Sequence, residues 1–214
     1  MPRIFASLIL LLVSSTGLLG CADTSTPTAP GQPGIPGALV TLVEVTSAIE
    51  VTAGGTGTFN WAGQSVTLPD SGTFNNLRFH WYTFQKTPAA FGALYLLKQE
   101  YLGLPANLGP STPGFVARSE RVADNQYMFP AAVTVNGGDK YWFYTDAQGS
   151  FAGSFDQDIY AGGDLYVTGF HSNPFRKAPA SGRMVGNTYV PPPAGVFLDA
   201  NFKLEGTVSS GGGR

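Results

Sequence analysis

The chain has 214 residues, with 12 Lys plus Arg against 14 Asp plus Glu and a formal net charge of −2. Charged residues make up 12% of the chain, about half of the ~25% that is usual in globular domains. This weak negative charge, without any basic cluster, argues against nucleic-acid binding. The 28 glycines and 16 prolines instead favour an exported β-protein that is rich in turns.

The first twenty residues have the pattern of an export leader. Arg3 provides a positive charge, and the apolar run at residues 4–13 has the length of a signal-peptide core. A membrane span needs roughly 20 apolar residues, so this run is too short to be one. The sequence therefore predicts a cleavable leader over residues 1–20.

The only cysteine of the chain, Cys21, directly follows this leader. Leu18-Leu19-Gly20-Cys21 resembles the bacterial lipobox, in which the leader is removed before the cysteine and the cysteine is lipidated. The resemblance implies that Cys21 carries the protein's lipid anchor to a membrane, and more than one acyl chain makes such anchoring stable. An ordinary signal peptide followed by an incidental cysteine is the alternative. A single cysteine also excludes an internal disulfide.

The residues after Cys21 bear on location and on domain boundaries. In enteric bacteria an aspartate at the next position resembles an inner-membrane retention signal, but this chain has Ala22. We therefore expect a lipoprotein of the bacterial cell envelope, at the outer membrane or the cell surface. Prolines at positions 27, 30, 33 and 36 make residues 21–37 a lipidated, semi-rigid tether. Residues 38–208 are then one domain, and residues 209–214 are a flexible tail.

Alternation of apolar and polar residues, which is typical of half-buried strands, dominates the domain, and no helical periodicity is convincing. Residues 76–84 show the alternation well, with Leu77, Phe79 and Trp81 on one face. His80 lies on the other face, so we expect it at or near the surface. Further strands are predicted over residues 38–45, 65–68, 92–98, 115–121, 127–135, 165–168 and 196–208.

The clearest turn signal is Asn136-Gly137-Gly138-Asp139, between the alternating residues 133–135 and 141–145. Asn and Gly tolerate positive φ, so the pattern predicts a tight hairpin at this point. Many short strands with Gly and Pro turns, and no disulfide, predict an all-β fold. The expected architecture is an antiparallel two-sheet β-sandwich that is jelly-roll-like.

Three segments taken together resemble a β-sandwich domain of exported bacterial proteins. They are residues 92–119, the run VTVNGGDKYWFYTD at 133–146, and YAGGDLYV at 160–167 with DANFKLEGTV at 199–208. A GTxYWF strand, a later YAGG strand and a terminal D-x-x-F-R/K-L-x-G occur in this order in PEP-CTERM and choice-of-anchor proteins. The resemblance spans about residues 74–208 and implies the fold and an extracellular setting, but no activity. The chain differs from the usual PEP-CTERM layout in its N-terminal lipid anchor and in lacking a C-terminal sorting helix.

Groups suited to catalysis are scarce. The chain has no G-x-S-x-G motif, Cys21 is taken by lipidation, and His80 and His171 are expected to be structural or solvated. The glutamates are scattered, without the E-x-D-x-E run expected in some sandwich glycosidases. We therefore expect a protein that is not an enzyme and needs no organic cofactor.

A calcium ion is the one cofactor that the sequence leaves open. Calcium takes several carboxylate and carbonyl oxygens in a bent loop, and Asp156, Asp158 and Asp164 lie near glycines in one short segment. Their spacing does not match an EF-hand. The alternative is that these aspartates hold turns through bonds to the backbone.

Aromatic residues make up 13% of the chain and are the remaining lead. In KYWFYT, Tyr141 and Phe143 share one strand face, while Trp142 and Tyr144 share the other. One pair faces the core, and the other pair either forms an exposed platform or lies under a loop. An exposed Trp142–Tyr144 pair would suit stacking on sugar rings. Weaker candidates of the same kind are Trp61 and Tyr82.

Two functions follow from these features. The first is a non-catalytic binding module for a glycan or extracellular polymer, held to the membrane through the N-terminal lipid. The alternative is a structural or assembly protein of the envelope, with protein partners and no small ligand. A groove with aromatic residues and a polar rim favours the first function, and a large exposed apolar patch favours the second.

Overall fold

In the computed structural model of the chain, the described residues are 37–46, 60–69, 71–123, 125–154, 157–180, 183–192 and 194–209. They form an all-β fold of two antiparallel sheets that pack face to face, which confirms the predicted β-sandwich. The predicted leader, Cys21 and residues 22–36 of the predicted tether lie outside the described residues.

The strands of the first sheet are β1 (Leu39–Val45), β3 (Thr73–Tyr82), β4 (Pro88–Ala89), β7 (Arg121–Ala123), β8 (Gln126–Met128), β9 (Val135–Asn136) and β15 (Phe202–Val208). Their order is β1-β15-β3-β8-β7, and the short strands β4 and β9 also pair with β3. The last strand is thus inserted between β1 and the central strand β3. The jelly-roll-like arrangement expected from the sequence stays a prediction.

The strands of the second sheet are β2 (Trp61–Thr67), β5 (Leu94–Leu97), β6 (Phe115–Arg118), β10 (Lys140–Thr145), β11 (Leu165–Thr168) and β12 (Arg176–Lys177). Their order is β12-β11-β2-β10-β5-β6, so β2 and β10 are central. A separate hairpin is formed by β13 (Arg183–Val185) and β14 (Thr188–Val190), and a 3₁₀ turn covers Pro105–Asn107. The described residues contain no α-helix.

The core lies between the two sheets and is centred on three phenylalanines. Phe79 of the first sheet stacks on Phe143 of the second, with ring centroids 4.8 Å apart, and on Phe202 of β15 at 5.4 Å. All three side chains are almost completely buried. Burial of each such side chain contributes about 1.5–3 kcal/mol of transfer free energy. The inward-facing side chains of β3, β10 and β15 therefore hold the two sheets together.

The predicted hairpin at residues 133–145 is wrong. Strand β9 pairs with β3 of the first sheet, whereas β10 pairs with β2 and β5 of the second. The Asn136-Gly137-Gly138-Asp139 turn therefore carries the chain from one sheet to the other. A Cβ on Gly137 would lie 2.5 Å from the carbonyl oxygen of Pro69, so the glycine allows a close backbone approach at this crossing.

His80 is another departure from expectation. It lies on the outer face of β3, opposite the core side chains, but it is only 4% exposed rather than near the surface. Its ring packs edge-on against Tyr82, with centroids 4.9 Å apart. Burial lowers the pKa of His80, because the charged imidazolium loses its hydration, so the ring is neutral at physiological pH.

Candidate functional site

The outer face of the second sheet carries most of the predicted aromatic residues. Alternation along β10 places Tyr141 and Phe143 in the core between the sheets, and it places Trp142 and Tyr144 on the opposite face. Trp142 lies across from Ser65 on one side and Leu97 on the other. Strand pairing brings opposite side chains within about 5 Å, so the Ser65 and Leu97 side chains flank the indole of Trp142 on the sheet surface.

Tyr144 is fully buried, although it is on the outer face. Its ring fits above Gly63 on β2, where a Cβ would lie 2.3 Å from the Tyr144 ring. Tyr101 and Phe175 cover it from outside, with ring centroids 5.9 Å and 4.8 Å from that of Tyr144. The sequence left open whether the outward-facing pair forms an exposed platform or lies under a loop. Tyr144 lies under a loop, so its ring is not available to stack on a ligand.

Trp142, in contrast, is half-buried, and hydrogen bonds fix its orientation. Its indole N–H donates to the hydroxyl oxygen of Tyr166 at 3.2 Å. The Tyr166 hydroxyl in turn donates to Oε1 of the exposed Glu100 at 2.7 Å. Burial raises the pKa of Tyr166, so its hydroxyl keeps the proton that it donates to Glu100.

Polar groups extend this surface beyond Ser65. The backbone N–H of Asp164 donates to Oγ of Ser65 at 2.8 Å, which places Asp164 next to the strand position opposite Trp142. Nζ of Lys177 pairs with the Asp164 carboxylate at 2.8 Å, and both side chains are partly exposed. Lys177 is paired with Tyr166 in the sheet register, and Tyr166 bonds both Trp142 and Glu100. We call this group, which consists of Trp142, Tyr166, Glu100, Asp164 and Lys177, the Trp142 surface.

The other two predicted aromatic residues lie elsewhere. Trp61 is on the same sheet face as Trp142, half-buried, and its indole N–H donates to the carbonyl oxygen of Asp146 at 3.3 Å. Tyr82 belongs to the first sheet, is only 8% exposed, and donates its hydroxyl to Oε1 of Glu44 at 2.7 Å. Tyr82 is therefore not part of the Trp142 surface.

The described residues of the predicted calcium loop have separate partners. Oδ1 of the exposed Asp158 accepts the backbone N–H of Tyr160 at 3.0 Å, as in a side-chain-stabilised turn. Asp164 is paired with Lys177, and Asp156 lies outside the described residues. Among the residues that the structure does describe, no three His, Cys, Asp or Glu side chains are grouped so as to hold a metal. The calcium site stays a prediction.

A buried carboxylate, Asp199, holds the start of this loop against the second sheet. Its Oδ2 accepts the backbone N–H groups of Ile159 and Tyr160 at 3.1 and 3.0 Å, and its Oδ1 accepts Nε2 of Gln64 at 3.1 Å. Asp199 is completely buried, and burial, the dominant effect, raises its pKa to about 8. Because its hydrogen bonds join Gln64 to the segment at Ile159 and Tyr160, Asp199 has a structural role.

Glu100, Tyr166 and Lys177 are the residues of the surface that the sequence did not single out. They come from three segments that approach Trp142 only in the folded sheet. The one usable signal was the alternation of β11, which puts Tyr166 on the same face as Asp164.

Comparison of the chain with protein families, with curated proteins and with solved structures found no match. The resemblance to exported sandwich domains and to lipoproteins thus stays a prediction. Within the described residues, no helix is long and apolar enough to span a membrane.

Proposed function

We propose that this protein is a lipid-anchored component of the bacterial cell envelope whose sandwich is a non-catalytic binding module for a glycan or extracellular polymer. The contact is made by the Trp142 surface. One observation carries the proposal: Trp142 is part-exposed on a sheet face while its indole N–H is already bonded to Tyr166. An aromatic ring fixed in this way binds without losing rotamer freedom on contact.

The chemistry around Trp142 supports a sugar as the ligand. The apolar C–H face of a pyranose ring packs on an indole, and its hydroxyl groups need donors and acceptors beside the ring. Glu100 and Asp164 supply carboxylate acceptors, and Lys177 supplies a donor. Both kinds of partner lie on one surface, which matches a ligand with an apolar face and a polar edge.

The anchor and the location are proposed from the sequence. The segment Leu18-Leu19-Gly20-Cys21 supports a lipid on Cys21, and Ala22 supports the outer membrane or cell surface. The proline-rich residues 22–36 would then space the sandwich from the membrane, which gives a polymer access to the Trp142 surface.

A structural or assembly role with protein partners is the second candidate, and the β13–β14 hairpin favours it. Val185, Tyr189 and Val190 on this hairpin are 54%, 58% and 39% exposed. Exposed apolar residues that are grouped on one element are typical of protein–protein contacts. This role would use a different surface from Trp142, so the two candidates are separable by mutation.

The test is retention of the protein, expressed from its full sequence and purified in detergent, on a panel of immobilised polysaccharides and peptidoglycan. We expect saturable binding to at least one polymer, and Trp142→Ala should weaken it about tenfold or more, since losing an aromatic contact costs on the order of 1.4 kcal/mol. Tyr189→Ala, which removes an exposed aromatic ring elsewhere, should leave binding unchanged.

Thermal unfolding of each variant shows whether lost binding reflects lost structure. Trp142→Phe keeps a ring at the position and should retain part of the affinity. Undiminished binding by a folded Trp142→Ala variant would overturn the proposal, and no binding of any polymer by the folded wild-type protein would favour the assembly role.

A further inference from the structure

An open cleft lies on the outer face of the first sheet, away from the Trp142 surface. Its volume is about 380 Å³, within the range of about 300–1,000 Å³ that is usual for small-molecule sites. Its lining includes side chains from β1, β3, β8 and β15, among them Leu39, Asn76, Arg78, Met128 and Thr207.

A bulge in β3 opens this cleft. The pairing of β15 with β3 shifts register between Glu205 and Thr207, and Asn76 at this point has a left-handed backbone with φ of 48°. Asn is among the few residues that adopt this conformation readily. The extra residue of a bulge bends the strand locally and re-aims its side chains, which leaves Asn76 exposed beside Arg78.

Arg78 has no counter-charge within the described part of the chain. Glu205 lies directly opposite Arg78 in the sheet register, which is the natural position for an ion pair. The Glu205 carboxylate instead pairs with Nζ of Lys203 at 2.7 Å, and both of those side chains are largely buried. Among the described residues, the half-buried Arg78 therefore forms no ion pair, and it lines the cleft.

We propose that this cleft binds the carboxylate of a sugar acid, a uronic acid residue within an acidic polysaccharide. The planar fork of an arginine matches a carboxylate with two parallel hydrogen bonds, and such charge-assisted pairs are stronger than neutral ones. Asn76, whose Nδ2 also donates to Oδ1 of Asn75 at 3.4 Å, and Thr207 line the cleft with an amide and a hydroxyl that can bond ring hydroxyls, and Leu39 and Met128 line it with apolar side chains. An acidic peptide would offer the carboxylate without a ring of hydroxyl groups beside it, so poly-glutamate is the comparison ligand in the test below.

The cleft is on the other sheet from Trp142, so this site does not depend on the proposed Trp142 surface. The two sites can be tested in the same protein with separate variants. A polymer with uronic acid residues could occupy the cleft whether or not Trp142 contacts a glycan.

The probe is an oligogalacturonate, and its fully methyl-esterified form is the neutral control. Calorimetric titration of the full chain should show binding of the acid, and the ester should bind about tenfold more weakly or worse because it cannot accept the two charge-assisted bonds. Arg78→Gln should weaken binding of the acid by a similar factor. Lys86→Gln removes one positive charge from an exposed turn at the far end of β3 and should change the affinity less than about twofold.

Four results would overturn the proposal. The first is no binding of the oligogalacturonate by folded wild-type protein, and the second is equal binding by Arg78→Gln. The third is equal binding of the acid and the ester, and the fourth is equally tight binding of poly-glutamate, which would indicate an acidic peptide instead. Loss of the difference between acid and ester in Arg78→Gln reports on the cleft, whereas loss of neutral-polymer binding in Trp142→Ala reports on the Trp142 surface, so failure of the two sites gives different patterns.

Discussion

Gly63 decides, at the scale of a single residue, where the outer aromatic layer of the second sheet lies. The strand β2 has the sequence WAGQSVT, and its small residues form a depression under neighbouring aromatic rings. The Tyr144 ring occupies this depression, and its hydroxyl accepts the backbone N–H of Tyr101 at 3.1 Å. The Tyr144 ring has room in this depression because Gly63 has no side chain. The loop that covers Tyr144 and borders Trp142 takes its position from that ring.

We predict that Gly63→Ala destabilises the fold by about 1–3 kcal/mol, the usual cost of overpacking a core. The new Cβ would lie 2.3 Å from a Tyr144 ring that is buried and hydrogen-bonded, so neither group has room to move. Thermal unfolding should show a Tm lower by several degrees. Gly109→Ala is the matched control, because no atom lies within 4 Å of a Cβ at that position. A Gly63→Ala variant as stable as Gly109→Ala would contradict this account of the aromatic layer.

Sequence reasoning at this scale found Trp142 and missed Arg78. Alternation is enough to place Trp142 on the face opposite Phe143, because period two holds along an unbroken strand. The β3 bulge at Asn76 breaks this alternation. Side-chain geometry also determines that Glu205 forms its ion pair with Lys203 and not with Arg78. Neither the bulge nor this choice has a signal in the residue pattern.

At the scale of elements, strands with large alternating side chains were predictable and strands of small residues were not. The prediction for residues 76–84 overlaps most of β3, and 165–168 matches β11. For β2 only residues 65–68 were predicted, because Ala62 and Gly63 give weak hydrophobic contrast. Residues 196–201 alternate like a strand but do not belong to one, and β15 starts at Phe202.

The sequence also could not show which strand pairs with β9, on the N-terminal side of the glycine turn at residues 136–139. Asn-Gly pairs indicate positive φ, but in this turn only Gly138 has it, with φ of 79°. A turn does not state which strand its ends pair with. Pairing with Thr73 and Phe74 of β3 in the first sheet holds β9 away from β10.

Asp199 joins two elements, since it ties the segment at Ile159 and Tyr160 to Gln64 on β2. Burial raises the pKa of Asp199 from 3.8 to about 8, so the folded protein keeps a proton that the unfolded chain loses above pH 3.8. The free energy of unfolding therefore falls as the pH rises between about 4 and 8, by up to ~1.4 kcal/mol per pH unit from this group.

Chemical denaturation of wild type and Asp199→Asn across pH 4–9 measures this effect. Buried His80 acts in the opposite sense, because its lowered pKa makes the unfolded chain bind a proton more readily below pH 6.5. The contribution of Asp199 is therefore the difference between the two curves. We expect the stability of the variant to gain on that of wild type as the pH rises, and parallel curves would show that Asp199 does not titrate in this window.

At the scale of the whole molecule, the sandwich presents two outer faces with different chemistry. The outer face of the second sheet has an aromatic ring set among carboxylates, and the outer face of the first has an arginine in a polar cleft. The sandwich itself was predictable, because alternating strands of this number can bury their apolar faces only against a second sheet. The loops that cover Tyr144 and leave Trp142 part-exposed were not, because they depend on contacts between distant segments.

The central claim is that Trp142 contacts a glycan, and the indole N–H resonances of the protein test it most directly. The chain has three tryptophans, and they are in different settings: Trp142 is half-buried on the Trp142 surface, Trp61 is half-buried beside Asp146, and Trp81 is 1% exposed in the core. Titration with neutral cello-, malto- and chito-oligosaccharides should shift the Trp142 resonance with at least one of them and leave the Trp81 resonance in place. Saturating binding that leaves the Trp142 resonance unmoved, or no binding of any of these sugars or of the polymer panel, would contradict the account.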